Sequence, residues 1–460
     1  MLYYGGAGFQ VMTGRVEAAD AAEAARNADV VGEEYALACA TVSSPAERRR
    51  AFAILFLSLV CMGAGQSVIY TILPPVARRL AIGPFKVTCI FAVSALIWVF
   101  SSAYWGARSD RQGRKPIMLL GLLAFAVSFI AFATTMLAGL NGWISALLIF
   151  PLLIVSRCIY GAFGSGTSAS AQAYIADRTS AGERLSGVAI ISMAFALGTT
   201  VGPIIGSAVA LLGPLSPFYA ISALALASAL AIYFLLPERT VPRRHSAAPS
   251  TLRWYERRIL PFAAFGLFLS MIASVSIQTV SFFFMDILKK NPQQALHLTG
   301  IGLTVAAIAT LFGQFVIVQR SGFSARVLTS AGLIIAALSN VLFLVAGNVV
   351  VVILALVLSG LGFGLARPGF TAGASLSVRR DEQGAVAGVL NAAGAAGFIF
   401  GPVIGWLYEI SPYVPYAFGA AIMLALLAAQ YISPALRNAG EIESPDIAEE
   451  GGVETPLQSG

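Results

Sequence analysis

A short charged stretch, Gly106-Ala-Arg-Ser-Asp-Arg-Gln-Gly-Arg-Lys-Pro116, separates two long apolar segments of the chain. Residues 87–107 and 116–156 contain no Asp, Glu, Lys or Arg. An apolar run of about 20 residues is long enough to cross the hydrocarbon core of a bilayer as a helix. The stretch therefore predicts a charged loop at a membrane surface, joining two membrane-spanning helices.

The composition of the whole chain agrees with this. Of the 460 residues, 58% are hydrophobic and 11% are charged, and the mean hydropathy is +0.81. A soluble domain is about half apolar and about a quarter charged, so a soluble enzyme or nucleic-acid binder is excluded. Four Cys are too few for a disulfide scaffold. We find no Ser/His/Asp set or metal-ligand spacing, and we expect no enzymatic activity, no cofactor and no metal.

Charge-free runs and turn-forming residues divide the chain into twelve spans. Spans 1–6 come from the runs 51–77, 87–107, 116–156 and 185–237, with breaks at Asn141-Gly142 and Gly213-Pro214. Spans 7–12 come from 259–285, 291–319, 327–378, 383–408 and 415–434, with a break at Gly347-Asn348. We therefore predict an all-α integral membrane protein whose twelve transmembrane helices form two six-helix bundles, residues 50–237 and 259–435.

Three segments lie outside the two bundles. Residues 1–49 and 436–460 are predicted to be disordered cytoplasmic tails, and residues 238–258 to be a basic cytoplasmic linker. The first long apolar run starts only at Ala51, so no cleavable signal peptide is expected. With both termini inside, 22 Lys and Arg lie on the cytoplasmic side and 5 on the other. This asymmetry predicts a multi-pass protein of the cell inner (plasma) membrane with both termini cytoplasmic.

The two halves carry related sequences. Gly198-Thr-Thr-Val-Gly-Pro-Ile-Ile-Gly206 in span 5 and Gly397-Phe-Ile-Phe-Gly-Pro-Val-Ile-Gly405 in span 11 share one pattern, 199 residues apart. Gly161 in span 4 and Gly360 in span 10 are separated by the same offset. A repeat of six spans is typical of transporters, in which the substrate site lies between the repeats near the midplane.

Several of these motifs resemble those of the major facilitator superfamily. The charged stretch resembles its loop signature G-x-x-x-D-R-x-G-R-[KR], through Gly106, Asp110, Arg111, Gly113, Arg114 and Lys115. Arg157 and Gly161 resemble its R-x-x-x-G element. Gly198, Gly202, Pro203 and Gly206 resemble the span-5 motif of the drug/proton antiporter branch, the twelve-span multidrug and tetracycline exporters. Span 11 repeats that motif at Gly397, Gly401, Pro402 and Gly405.

The resemblance implies a role for each motif. The charged loop would latch the inner ends of neighbouring helices in one state and release them in the other. The span-5 glycines would form a tight contact between the halves that resists leakage. The residues alone leave simpler alternatives open, because the loop charges could only orient the protein and the glycines could serve ordinary helix packing.

Two arginines, Arg157 and Arg367, lie near the midplane when residues are counted from the loops. Charge inside a membrane is costly and usually marks function. The resemblance implies that spans 1, 4, 7 and 10 line the cavity, so both arginines lie on the substrate path. Three polar side chains are further candidates on that path: Gln66, Tyr70 and Gln278. A structural role for each arginine, and interhelical packing for each Gln, remain as alternatives.

None of the 22 Asp and Glu lies deep in a span, so the coupled proton is expected on Asp110, on Asp286 or on the substrate. The sequence predicts a secondary active transporter that exports a small organic, amphipathic compound by alternating access and proton antiport. Two central arginines favour an anionic compound. An uptake carrier for a sugar or organic acid and a non-transporting membrane sensor or partner protein are the alternatives. We expect a monomer whose partners are the substrate, protons and the lipid bilayer, and no nucleic acid.

Overall fold

The computed structural model of the protein describes residues 45–176, 181–236, 259–320, 322–377 and 383–437. The predicted linker, 238–258, lies outside the described residues, as do most of the two predicted tails. The N-terminal prediction was wrong at its edge, because the first helix begins at Pro45 rather than after residue 49. At the other end a last short helix, Pro434–Arg437, extends two residues into the segment predicted as a tail.

Twelve helices of the described chain are long and apolar enough to cross a membrane, which is the number predicted. We number them α1 to α12, as the spans. Their bounds are α1 Pro45–Arg79, α2 Pro84–Gln112, α3 Arg114–Leu140, α4 Ala146–Phe163 continued by Ser165–Ala176, α5 Ala181–Val209, α6 Ser216–Leu235, α7 Leu260–Asp286, α8 Pro292–Phe312, α9 Ala325–Leu344, α10 Val349–Leu376, α11 Gln383–Ala396 continued by Gly401–Ile410, and α12 Val414–Ile432.

Turn chemistry ends these helices where the sequence predicts it. Gly142 and Gly213 have positive φ angles of 71° and 149°, which favour glycine, and they follow α3 and α5. Asn348 caps α10 by accepting a hydrogen bond from the backbone N–H of Val351. Gly113, inside the charged loop, has a φ of 98° and separates α2 from α3. The three predicted breaks between spans are therefore confirmed.

Two spans contain a change of helical geometry. Helix α8 ends in a widened π-helical turn, Gly313–Val318. Helix α11 contains a tight 3-10 turn, Gly397–Phe400, which begins at the first glycine of its repeated motif. Such departures from regular α-helix are common near functional sites.

The repeat seen in the sequence is also a repeat in packing. A Cβ added to Gly161 of α4 would lie 2.7 Å from the carbonyl oxygen of Ser94 in α2. A Cβ added to Gly360 of α10 would lie 2.0 Å from the carbonyl oxygen of Ala306 in α8. Each half therefore uses the same glycine to bring its fourth helix against its second. The first six spans and the last six form two related bundles.

Large apolar side chains on the outside of these bundles remain exposed. Phe100, Leu147 and Phe234 keep 73%, 83% and 74% of their surface accessible. Large apolar side chains exposed on membrane-spanning helices are placed to face lipid.

Candidate substrate path and gates

The two halves contact each other toward one end of the bundle. We call the end that carries the charged loop 106–116 the loop end, and the end at which α7 finishes at Asp286 the far end. In the described chain, the hydrogen bonds, ion pairs and close glycine contacts between the halves lie in the part nearer the far end. The conformation is therefore one in which the far end is closed.

An ion pair joins the halves at the far end. Arg78 Nη2 of α1 donates to both carboxylate oxygens of Asp286 in α7, at 2.7 and 2.6 Å. Tyr408 of α11 donates its hydroxyl to the same carboxylate at 3.1 Å. The Arg78 guanidinium also lies over the ring of Phe282, 5.3 Å from its centroid. Asp286, a predicted coupling residue, thus lies in a contact that exists only when the halves meet.

Helix α11 meets α2 along a second contact between the halves. A Cβ added to Gly405 would lie 2.2 Å from Thr88 Oγ1 and 2.8 Å from the Cα of Phe85. A Cβ added to Gly401 would lie 3.2 Å from the Thr88 carbonyl oxygen. Two glycines of the repeated motif therefore let the halves approach closely, and Pro402 lies between them in the chain.

The span-5 glycines make a different contact from the one expected. Added Cβ atoms at Gly198, Gly202 and Gly206 would lie 2.2 Å from the Val60 carbonyl oxygen, 2.1 Å from Ser67 Oγ and 2.7 Å from Val68 Cγ2. All three neighbours belong to α1, in the same half. The expectation that these glycines seal the halves together was wrong, because they face the helix beside them.

A neighbouring face of α5 does reach the second half. A Cβ added to Gly300 of α8 would lie 2.6 Å from Ser207 Oγ and 2.9 Å from the Pro203 carbonyl oxygen. In span 11, by comparison, Gly397 faces Ser270 and Met271 within its own half. The span-5 glycines therefore pack within their half. In span 11, Gly401 lies between Gln278 of its own half, at 2.8 Å from the added Cβ, and Thr88 of the other, and Gly405 faces the other half.

The charged loop makes contacts within the first half. Arg114 forms an ion pair with Asp110 and donates to Ser109 Oγ at 2.7 Å. Lys115 donates to the Tyr233 carbonyl oxygen at the end of α6, at 2.7 Å. Gly106 has no atom near the position of an added Cβ, and Arg111 is exposed. These contacts tie α2, α3 and α6 together at the loop end.

Arg157 lies at the centre of a buried polar chain in the first half. Only 1% of its surface is accessible. Its Nη2 donates to Gln66 Oε1 at 3.2 Å, and Gln66 Nε2 donates to the Tyr70 hydroxyl at 3.1 Å. The guanidinium lies 4.7 Å from the ring centroid of Tyr160 and 5.9 Å from that of Phe129. Three candidate path residues from spans 1 and 4 are therefore connected.

This guanidinium has unused hydrogen-bonding capacity. Neither Nε nor Nη1 has a hydrogen-bond partner among the described residues, although both are buried. Arginine stays charged in proteins, and a buried charge without a partner is strongly unfavourable. In this conformation the two donors are enclosed, so an anionic or carbonyl group would reach them only when the surrounding side chains move.

Tyr70 links this chain to the far-end closure. Its ring lies 4.7 Å from that of Phe91 in α2 and 6.2 Å from that of Phe398 in the second half. Tyr70 itself is 7% exposed. Through Tyr70, the polar chain of Arg157 therefore contacts an aromatic side chain of the second half.

The second half provides two more candidates, in different environments. Arg367 of α10 is exposed. Its Nη2 lies 3.4 Å from an added Cβ at Gly394 of α11. Gln278 of α7 is 1% exposed, and neither of its amide atoms has a hydrogen-bond partner in the described chain. The two arginines therefore differ, with one enclosed and one accessible.

Sequence reasoning missed several residues of this region. Phe129, Tyr160 and Phe398 surround the candidates, but aromatic residues are so frequent in the spans that none stands out. Glu409 was not among the candidates either, because a carboxylate at the end of a span resembles any surface charge. Its partner, Phe85, lies 324 residues away in the chain.

Comparison with known families identifies the chain. The model of the Major Facilitator Superfamily matches residues 55–402 and, in a second overlapping match, residues 264–458. The chain belongs to the major facilitator superfamily. Its resemblance to this family, seen first in the charged loop, is confirmed. Membership makes the protein a multi-pass membrane transporter rather than an enzyme.

Relatives within the major facilitator superfamily include drug exporters. Multidrug resistance protein 2 of Bacillus subtilis is 27% identical over 391 residues, covering 82% of this chain and 94% of that protein. The class C tetracycline resistance protein of Escherichia coli is 29% identical over 333 residues, covering 68% and 78%. These relatives agree with the predicted drug/proton antiporter branch.

Solved structures of the superfamily share the fold. A bacterial homolog of the human lysosomal transporter Spinster, in an inward-facing and occupied conformation, aligns with a TM-score of 0.66 at 15% identity. The alignment covers 86% of this chain and 94% of that one. The major facilitator fold is thus shown by sequence and by structure.

Proposed function

We propose that this protein exports a small organic, amphipathic anion in exchange for protons, by alternating access across the cell inner membrane. The observation that carries the proposal is the enclosed guanidinium of Arg157, with two unpartnered donors and no carboxylate beside it among the described residues. An anion entering between the halves would supply the missing partner. The multidrug and tetracycline resistance relatives support export as the direction.

The charge distribution supports an assignment of sides. Most Lys and Arg fall in the sequence segments predicted to lie at the loop end, so the positive-inside rule favours a cytoplasmic loop end and cytoplasmic termini. The closed far end would then face outward, and the conformation described above would be the one that admits substrate from the cytoplasm. Arg367, accessible on α10, would meet the substrate from the second half.

The charged loop would act in the opposite conformation. Asp110 is paired with Arg114 in the far-end-closed state, so the loop is held within its own half. We infer that closure of the loop end brings this loop against the second half. Asp110 would then leave Arg114 and pair with a group of the second half. Asp286, paired across the far end, and Asp110, at the loop end, are the two proposed proton-coupling carboxylates.

A resistance screen tests this function. We expect the wild-type protein, expressed in a host that lacks its own pumps, to raise resistance to amphipathic anionic compounds at least about fourfold. The reason is that the proposed site recognises anions through charge-assisted hydrogen bonds. Asp110→Asn should lose that resistance, because its amide no longer carries the charge that pairs with Arg114. Asp110→Glu is the matched control and should retain part of it.

The outcomes separate the candidate functions. Resistance to cationic compounds alone would contradict the anionic substrate. Increased sensitivity, with greater accumulation inside the cell, would favour the uptake carrier, for which an enclosed guanidinium would suit an organic acid equally well. Unchanged sensitivity and unchanged metabolites in the medium, with the protein abundant in the membrane, would contradict export.

A further inference from the structure

Glu409 makes a contact across the two halves that none of the motifs anticipates. Its Oε1 accepts a hydrogen bond from the backbone N–H of Phe85, at 3.1 Å. Phe85 lies in the first turn of α2, which begins at Pro84. The first N–H groups of a helix have no partner within the helix, and they form the positive end of its dipole. A carboxylate of the second half therefore caps a helix of the first.

Two glycines leave space for the Glu409 carboxylate at the N-terminus of α2. Gly83, which precedes α2, offers no side-chain cap of its own. A Cβ added there would lie 2.7 Å from Glu409 Oε1. Gly405, one turn before Glu409, lets α11 approach the same turn of α2. Two glycines thus bring one carboxylate onto one helix end, and the contact can form only while the far end is closed.

The repeat-related position in the first half has no such group. The 199-residue offset places Ala210 at the position of Glu409. The N-terminus of α8 is instead capped within its own helix, by Asn291 and Gln294 in a reciprocal pair of hydrogen bonds. Twofold pseudosymmetry therefore does not explain Glu409, which is specific to the contact between α11 and α2.

Glu409 and Asp286 form a pair of carboxylates at the closed far end. Each connects the two halves, one through the Phe85 N–H and the other through Arg78. Glu409 is exposed, and the side chain of Asp286 keeps 29% of its surface accessible, so protons from the far-end solution can reach both. A hydrogen bond to an ionised carboxylate is roughly twice as strong as one to a neutral group.

Other charged and titratable groups belong to the same end of the described chain. They are Arg78 and Arg79 on α1, Lys86 and Cys89 on α2, Lys289 and Lys290 after α7, His297 on α8, Tyr408 on α11 and Tyr413 before α12. Lys86 is directed to the Phe150 ring of α4, 5.9 Å away, and the Cys89 thiol is close enough to interact with Glu409. Cations therefore outnumber carboxylates at this end of the described chain.

We propose that Glu409 and Asp286 form a carboxylate latch that keeps the far end closed while both are ionised and weakens when either is protonated. The inference rests on the proposed alternating access, in which the far end opens. A proton from the far-end solution would neutralise the helix cap, weaken the contact between α11 and α2, and favour the outward-open conformation.

A distance measurement tests the latch without substrate or transport. Leu212 and Val345, exposed at the far end of opposite halves, are changed to cysteine for spin labels in full-length protein whose four native cysteines are replaced. Distances are measured in lipid nanodiscs at about pH 7.5 and about pH 3.5, on either side of the ordinary carboxyl pKa of about 4. The short, closed population of the wild type should fall at the lower pH.

Two variants disturb the cap in different ways. Glu409→Gln keeps an acceptor but removes the charge, and should lower the closed-to-open ratio about two- to fivefold at the higher pH, with a smaller pH response. Gly83→Ala should displace the carboxylate and give a similar shift. The double variant should shift no further than the larger single shift, since both act on one contact.

The control is Ile410→Gln, which places the same side chain beside Glu409 at an exposed position of α11 and should leave the distances unchanged. A wild-type distribution that does not respond to pH would overturn the proposal, as would a full pH response in Glu409→Gln. If the latch responds as described but the resistance screen finds no export, the proposed function fails and the conformational role of Glu409 stands. If the screen finds export but the far-end distances do not change with pH, only the latch proposal fails.

Discussion

Arg157→Met is expected to lower the rate of transport at least about tenfold while leaving the protein as stable as the wild type, or more stable. Charge-assisted hydrogen bonds contribute about 1.5–3 kcal/mol, which corresponds to about a tenfold or larger loss. The guanidinium is fully enclosed and has two donors without a partner, so its presence costs folding free energy. Replacing a buried charge with an apolar side chain of similar volume is often neutral or stabilising by about 1–4 kcal/mol.

The measurement compares transport of the compound identified by the screen with thermal unfolding of purified protein. Arg157→Lys is the matched control, because it keeps the charge but cannot reproduce both the Gln66 contact and the free donors. It should retain partial transport. If Arg157→Met is both inactive and clearly less stable, the guanidinium is a structural group and its role in substrate binding is contradicted.

Gly405→Val and Gly198→Val are expected to fail in different ways, although the two glycines occupy related motifs. A side chain at Gly198 meets backbone atoms of its own half, the Val60 carbonyl oxygen at 2.2 Å and the Ala64 nitrogen at 2.8 Å. Backbone of a neighbouring helix cannot move aside cheaply, and overpacking costs about 1–3 kcal/mol or more. Gly198→Val should therefore reduce the amount of folded protein in the membrane several-fold.

Gly405→Val meets the other half of the molecule instead. Its side chain would collide with Phe85 Cα and Thr88 Oγ1 of α2. The halves can avoid this collision by separating at the far end, which leaves each bundle intact. We expect near-normal abundance, loss of the closed far-end population in the distance measurement, and transport reduced about tenfold or more, because one state of the cycle is disfavoured.

Membrane abundance and the far-end distance are measured for both variants. Gly→Ala at each position is the milder control and should give the same ranking with smaller effects. Equal loss of folded protein in the two valine variants would contradict the assignment of Gly198 to packing within a half and Gly405 to contact between the halves.

These two glycines also show what the sequence could and could not predict. Long charge-free runs and turns such as Gly142 and Gly213 predict the twelve spans, because membrane crossing depends on local length and composition. The pattern G-x-x-x-G predicts that another helix approaches closely, but it does not identify that helix. The partner of each motif depends on how the spans assemble, and the two copies turned out to face different neighbours.

The charged candidates illustrate the same limit. Counting residues placed Arg157 and Arg367 near the midplane, but their different accessibility depends on side chains from several other spans. Asp286 could be recognised as a carboxylate at the end of a span, whereas its pairing with Arg78 joins residues 208 positions apart. Contacts of this kind arise only when two bundles meet, so composition and spacing carry no signal for them.

Transport in inside-out membrane vesicles tests the central claim most directly. A pH gradient, acidic inside, is imposed on vesicles that contain the protein, and uptake of the compound identified by the screen is followed together with the internal pH. Proton antiport predicts that the compound accumulates in the acidic lumen, that protons leave as it enters, and that Arg157→Met vesicles do neither. Accumulation that is indifferent to the gradient, or that occurs only in right-side-out vesicles, would contradict proton-driven export.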